Sequence, residues 1–324
     1  MRAIVQDKYG PSPDVLELRE IDKPVVGDED VLVRVQAAGV DQGVWHVMAG
    51  LPYPIRIAGY GLMSPKNPVR GLDVAGIVES VGANVTSFQS GDEVFGTCRG
   101  SFAEYGLANA DRLSPKPARL SFEQAAAVAI SGYAALQAVR DQGKVQPGQR
   151  VLIIGAGGGV GTFAVQIAKA YGAEVTGVCS TSKIELVRSL GADHVIDYTR
   201  EDFAEGSERY DVILDIAGNR SLSDLRRTLT AKGTLVIVGG ETDGRWLGGT
   251  DRQIRAMILS LFVQQKLGTW VSTERKKDLD ELHELLETGK VTPVIDRTFP
   301  LGDVPDAIAY LREGSAAGKL VITV

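Results

Sequence analysis

The sequence predicts an α/β protein in which a β-rich domain, built from both ends of the chain, carries an inserted α/β domain with a doubly wound parallel sheet. Three observations support this. The first third is a series of short β-branched or alternating runs between Gly, Pro and Asp turns. The middle alternates continuous apolar runs with segments of helical period, and the closing GKLVITV returns to the grain of the beginning. A length of 324 residues exceeds one ordinary core and suits about two domains.

In chain order, short strands are expected at Ala3–Val5, Val15–Glu20, Asp30–Ala38, Asp73–Val81, Glu93–Gly96 and Phe102–Ala108, a spacing that suits a small barrel or sandwich. Gly82 and Gly91 fall at turns, where positive φ is cheap only without a β-carbon. From Ser121 the grain changes. SFEQAAAVAISGYAALQAV opens with a Ser cap and continues as an Ala-rich helix, expected to break at Ser131-Gly132. VLIIG is a continuous apolar run, as a strand buried on both faces requires.

The helix Val160–Tyr171, the strand Glu174–Cys179, the helix Lys183–Leu190 and strands at His194–Ile196, Tyr210–Asp215 and Gly233–Val238 follow; such alternation implies a parallel sheet. Between Gly244 and Val271, RWLGGTDRQIRAMILSLFVQQKL reads as a helix behind a Gly-rich lead-in. The polar helix Glu274–Gly289 then precedes VTPVIDRTFPL and the final β run. The expected division is 1–120 for the first part of the β domain, 121–267 for the inserted α/β domain and 268–324 for the return to the β domain.

A net charge of −6 with no block of five like charges argues against nucleic acid or a polybasic membrane contact. The N-terminus has no basic segment followed by an apolar run, and no window approaches about eighteen uninterrupted apolar residues, so a cytoplasmic protein is expected. Cys98 and Cys179 are the only cysteines; they cannot form a disulfide framework and suit a reducing compartment.

The stretch VLIIGAGGGVG, Val151 to Gly161, carries the main functional signal. A strict G-x-G-x-x-G fails, because the triplet ending at Gly161 is Ala156, Gly158, Gly161; the spacing that holds is Gly155, Gly158, Gly161. It follows a buried strand and opens a helix, where unpaired N–H groups bind a pyrophosphate if no β-carbon intervenes. A purely structural turn and a methyltransferase-type nucleoside site are the alternatives. At the end of the next strand, where a carboxylate would bind the ribose hydroxyls of NAD, the chain has Ser180 and then Lys183, which suit a 2′-phosphate and so NADPH over NADH. The bland alternative is a Ser cap and a solvated Lys.

Several motifs together resemble the medium-chain dehydrogenase/reductase superfamily, in its zinc-independent quinone oxidoreductase and enone reductase branch. They are AAGVDQGVWHVMAG, GLDVAGIVESVG, SGDEVFG, GSFAEY, AAAVAISGYAAL, GAGGGVGTFAVQIAKAYGA, SLGADHVIDY and GKLVITV. The resemblance spans essentially the whole chain. It implies a GroES-like β domain with an inserted Rossmann domain, a cofactor in the cleft, and a homodimer paired through edge strands of the inserted domains.

Asp41 and Leu72 stand where the alcohol dehydrogenase branch has a Cys and a His zinc ligand, and leucine cannot coordinate zinc; two cysteines are too few for a four-thiolate site. No zinc is therefore expected. A quinone or enone can accept hydride without a metal, because it delocalises the arriving charge.

By resemblance, Ser131 lies at the nicotinamide or phosphate side, Gly158, Gly159, Val160 and Gly161 hold the pyrophosphate, and Ser180, Lys183 and Tyr198 hold the 2′-phosphate. Ala217, Val238, Gly239 and Gly240 lie at strand ends facing the ligand crevice. Lys319 closes over the cofactor or is a solvated edge charge. Asp41 occupies a position where relatives often have Asn, and an ionised Asp cannot donate to an oxyanion; it is held protonated, orients another donor, or marks a different site. Tyr53 and Tyr60 offer phenolic donors and Trp45 aromatic surface, or they pack. His46 lines the cleft or satisfies a local hydrogen bond, and Trp246 and Phe262 are candidates for the far side of the pocket.

The leading expectation is an NADPH-dependent reductase of quinones or α,β-unsaturated carbonyls. A zinc-free alcohol dehydrogenase or carbonyl reductase and a non-catalytic NADPH-binding protein are the alternatives.

Overall fold

The computed structural model describes residues 1–218, 220–239, 245–246 and 248–324. The chain begins with β1 (Arg2–Val5), β2 (Glu17–Glu20), β3 (Asp30–Val40), α1 (Gln42–Ala49), β4 (Asp73–Val81), β5 (Glu93–Thr97), β6 (Tyr105–Asn109), β7 (Leu113–Pro115) and α2 (Phe122–Ala126). There follow α3 (Ala129–Gln137), β8 (Arg150–Ile154), α4 (Gly159–Ala170), β9 (Glu174–Cys179), α5 (Ile184–Ser189), β10 (His194–Asp197) and β11 (Tyr210–Asp215). Next come α6 (Leu222–Thr228), β12 (Leu229–Ile237), α7 (Thr250–Ser260) and β13 (Lys266–Thr269). The chain closes with α8 (Lys276–Glu287), β14 (Ile295–Pro300), α9 (Val304–Arg312) and β15 (Lys319–Thr323). Two compact units result: Met1–Ser131 with Glu274–Gly289 and Pro293–Val324, and Gly132–Thr273 with Lys290–Thr292.

In the first unit the main sheet has the order β14-β15-β3-β4-β5-β7, with β6 also paired to β3. β3 serves three partners because it is long and irregular: its pairing with β4 shifts between Leu32 and Val33 and again between Val35 and Ala37, and such bulges bend a strand enough to close a sheet. The C-terminal β15 lies antiparallel to β3, Leu320 opposite Val40, so both chain ends build one core around Val33, Val35, Val74, Val94 and Ile322.

α2 packs on β3 and β4. It is capped reciprocally: Ser121 Oγ accepts from the Gln124 N–H while the Gln124 side chain accepts from the Ser121 N–H. The helix ends at Ala127, not at the expected Ser131-Gly132 break, which lies inside α3. A glycine costs a helix interior only about 1 kcal/mol, and burial outweighs that. α9 was not expected; its Pro305 sits in the first turn, and Val304, Ala307 and Ile308 face the core.

In the second unit the described strands form a parallel sheet of order β10-β9-β8-β11-β12-β13, in which the chain order of the strands reverses beside β8. β8 is the VLIIG run, and Val151 to Ile154 are all buried. The helix expected between Gly244 and Val271 is α7, and the short strand β13 follows it.

Candidate functional site

The glycine turn joins β8 to α4 at the C-terminal edge of the parallel sheet, and each glycine meets a different demand. Gly155 has φ +89°, a left-handed conformation that side chains resist. A β-carbon on Gly161 would come within 2.1 Å of the Gly155 carbonyl oxygen, so its absence lets α4 pack on the turn. Gly158 differs. Its φ is −94°, open to any residue, and a β-carbon there would meet only the Gly155 oxygen at 3.5 Å. Nothing in the fold requires glycine at that position. No side chain caps α4, so its first N–H groups face outward, as an anionic ligand needs. This uncapped, unobstructed turn fits a pyrophosphate. Ala217, Val238 and Gly239 follow the ends of β11 and β12 beside it: the Ala217 N–H donates to Ile154 O (3.2 Å) and the Gly239 N–H to Asp215 O (3.2 Å). Gly240 lies outside the described residues.

Ser180 and Tyr198 are brought side by side, because Cys179 pairs with Asp197 in the β9–β10 register and the Tyr198 N–H donates to Cys179 O (3.1 Å). Tyr198 is 54% exposed. Lys183 runs past Gly157, whose β-carbon would lie 2.8 Å from its Cδ. The sequence reading overlooked Asp197. Its carboxylate accepts from the Thr181 hydroxyl (2.5 Å) and the Thr199 hydroxyl (2.7 Å), with Arg200 at 3.5 Å. These contacts, the Thr181 bond foremost, hold it below the ordinary carboxylate value.

The first unit contains a cavity of about 500 Å³ whose walls include Val44, Val47, Tyr60, Val69, Arg70 and Leu72. Tyr60 is set by its neighbours: the Tyr9 hydroxyl bonds the carbonyl oxygens of Tyr60 (2.8 Å) and Gly61 (2.7 Å), while Arg56 holds Gly50 O (2.9 Å) and stacks on Tyr9 and Tyr53. Burial pushes the Tyr60 phenol up, with Glu274 and Asp41 adding to the effect and Arg70 opposing it, so the phenol remains a donor. Arg70, which sequence reasoning missed, is 4% exposed. A lone Arg in the otherwise apolar run Pro68–Leu72 was the signal that could have found it.

The other expected pocket residues do not line this cavity. Asp41 caps α1, accepting from the Val44 N–H (3.2 Å), and its buried second oxygen has no partner. Trp45 donates to Pro11 O (3.3 Å) beneath the Arg312 guanidinium (3.9 Å), so its surface is used for packing. His46 bonds Leu51 O (2.7 Å), the local role. Trp246 and Phe262 belong to the second unit and are 73% and 79% exposed. Ser131 is buried in α3.

Lys319 departs most from expectation. It is neither a solvated edge charge nor open to a ligand: it is 2% exposed, and its Nζ donates to Asp73 Oδ2 at 3.0 Å. Asp73 Oδ1 also accepts from the Ile130 N–H (2.8 Å); burial pushes this carboxyl up, against the pull of Lys319. Among the described residues no group of three or more His, Cys, Asp and Glu side chains is arranged to hold a metal.

Two family models match: the alcohol dehydrogenase GroES-like domain over residues 27–118, and the zinc-binding dehydrogenase family over residues 190–322. The mitochondrial NAD(P)H oxidoreductase RTN4IP1 of Mus musculus is 32% identical over 100% of this chain and 89% of its own. The chain belongs to the medium-chain dehydrogenase/reductase superfamily. It is accordingly an oxidoreductase, and the relatives it matches include quinone oxidoreductases and an enone reductase. The 2-methylene-furan-3-one reductase of Solanum lycopersicum is 32% identical over 99% of this chain and 79% of its own. The quinone oxidoreductase of Escherichia coli, solved with NADPH, superposes with a TM-score of 0.83 at 25% identity, each chain covered completely.

Proposed function

We propose that the protein is an NADPH-dependent, zinc-independent reductase of quinones or α,β-unsaturated carbonyl compounds. The observation that carries this reading is the cavity of the first unit: apolar walls, a protonated phenol and a guanidinium, with Leu72 at the position where a metal-dependent relative needs a ligand.

When bound, NADPH supplies a hydride from its nicotinamide ring. Gly158 to Gly161 would hold its pyrophosphate on the uncapped N–H groups of α4, and Ser180, Lys183 and Tyr198 would hold its 2′-phosphate. Ala217, Val238 and Gly239 leave room at the strand ends. In the cavity the acceptor presents its β carbon, and its carbonyl oxygen takes up the negative charge. The Tyr60 phenol donates a hydrogen bond to that oxygen, and a solvent proton completes the reduction.

The proposal includes a cytoplasmic location and a homodimer. No described helix is long and apolar enough to cross a membrane. Among the described residues β13 is the last strand of the parallel sheet, and Met257, Leu261 and Phe262 just before it are exposed.

Consumption of NADPH by purified protein against a quinone, an enone, a simple ketone and no acceptor, with and without a chelator, tests the reading. Turnover of quinone or enone that survives chelation is expected. Turnover of the ketone alone would transfer the protein to the carbonyl reductase class, and tight NADPH binding without turnover would make it a binding protein.

A further inference from the structure

Arg70 is held in an environment that penalises its charge. The residue is 4% exposed, its Nε has no hydrogen-bond partner, and among the described residues no carboxylate pairs with it. Burial lowers the guanidinium to about 10, with Tyr9 and Tyr60 opposing the shift, and it is still cationic at neutral pH. An unpaired buried charge normally costs several kcal/mol, so a fold that retains one leaves its counter-ion to something else.

The position is anchored from the backbone. The Arg70 N–H donates to Ile4 O (3.2 Å) and Val69 bridges to Val5, which turns Val69 into the small cluster around Ala3 and Ala103. Val69 and Arg70 both line the cavity. Two further cations line the same cavity: Lys66, and Arg99, which is already paired to Asp30 at 3.1 Å. Neither Asp73, three residues on in the sequence, nor Asp41 is part of the wall. The cavity thus joins an apolar wall of Val44, Val47 and Leu72 to a cationic one.

We propose that the acceptor carries a carboxylate, bound by Arg70, so that the substrate class is the acidic quinones and enones rather than neutral ones. This rests on the reductase reading and narrows it. The planar guanidinium fork suits a carboxylate through two parallel hydrogen bonds, with Lys66 adding long-range attraction. The apolar part of the substrate lies on Val44, Val47 and Leu72, and the carbonyl faces Tyr60.

The test compares β-benzoylacrylate, an enone with a carboxylate, with its methyl ester in wild-type protein, Arg70→Gln and Arg70→Lys, alongside calorimetry of benzoate, benzamide and NADPH on each. Wild type is expected to favour the acid by roughly 100-fold in kcat/KM, the worth of a buried charge pair. R70Q should collapse that ratio to about threefold or less, and R70K should retain an intermediate preference, showing that the charge rather than the packing matters. Benzoate should bind wild type and not R70Q, with NADPH affinity shifted less than about twofold in either variant.

Equal turnover of acid and ester in wild type, or an unchanged ratio in R70Q, would overturn the proposal and leave the reductase reading standing. Benzoate bound equally by wild type and R70Q would also overturn it, as would NADPH weakened as much as the acid. Arg70-dependent benzoate binding with no acceptor reduced would sustain the anion site and sink the reductase reading.

Discussion

Two glycines three residues apart should respond oppositely to the same added methyl group. In Gly161→Ala the new β-carbon would sit 2.1 Å from the Gly155 carbonyl oxygen and 2.8 Å from Ala156 backbone atoms, none of which belongs to a movable side chain. Relief requires shifting α4 or the turn, and overpacking of this kind costs about 1–3 kcal/mol, with roughly 2–4 °C lost per kcal/mol in a domain of this size. In Gly158→Ala the methyl meets only one oxygen at 3.5 Å and φ is already −94°. Stability should hold or rise by about 0.4–1 kcal/mol through the unfolded chain. That methyl nevertheless projects where a pyrophosphate would approach the N–H groups, and losing one or two such bonds should weaken NADPH by about 10- to 100-fold. Thermal unfolding without cofactor and a nicotinamide fluorescence titration read the two effects separately. A Gly158→Ala protein that melts early but binds NADPH normally would refute the assignment of that glycine to the cofactor.

Lys183→Ala should weaken NADPH by about 10-fold or more and NADH by far less, since only the former carries the 2′-phosphate; equal losses in the two titrations would remove the 2′-phosphate assignment. Tyr60→Phe should lower kcat/KM for the preferred acceptor by about 10- to 100-fold. Because burial raises the Tyr60 phenol above its ordinary 10.0, the donor is lost only as pH rises through that higher value. An alkaline fall centred well below pH 10 in wild type that disappears in Tyr60→Phe would contradict the shift. Sedimentation should give twice the chain mass, and glutamate at Leu261 and Phe262 should shift the protein towards monomer; a wild-type monomer would end the edge-strand proposal.

The parts legible in the sequence are those set by local periodicity. β4, β9 and β11 begin and end where the apolar runs do, because each is bounded by turn residues that no tertiary contact overrides. Edges blur where packing decides: β12 starts at Leu229, earlier than its pattern suggests, and α9 forms in a segment whose apolar spacing is short. The glycine turn was readable because strand, turn and helix are contiguous in sequence. The cavity was not, since Val44, Tyr60 and Arg70 converge only through the tethering of residues 56–71 by Tyr9, Arg56 and Ile4. Trp45 and His46 illustrate the converse: their residue types suggested a pocket, but neighbours only a few ångströms away already satisfied them.

Lys319 gives a sharper case, because its two possible roles lead to opposite measurements. A lysine that closes over a cofactor can be replaced with little effect on the unliganded fold and a large effect on NADPH binding. A lysine that neutralises Asp73 behaves differently. With 2% and 0% of the two side chains exposed and 3.0 Å between Nζ and Oδ2, Lys319→Met would leave Asp73 buried with the Ile130 N–H as its remaining partner. Removing one member of such a pair typically costs about 3–5 kcal/mol, whereas replacing both by neutral groups of similar volume is often near neutral. Lys319→Met should therefore unfold well below wild type, and Asp73→Asn combined with Lys319→Met should recover most of the loss. The cycle measures coupling between the two residues, independent of any ligand. Additive losses in the double variant, or a stable Lys319→Met protein with weakened NADPH binding, would return Lys319 to the cofactor and leave Asp73 without the counter-ion assigned to it.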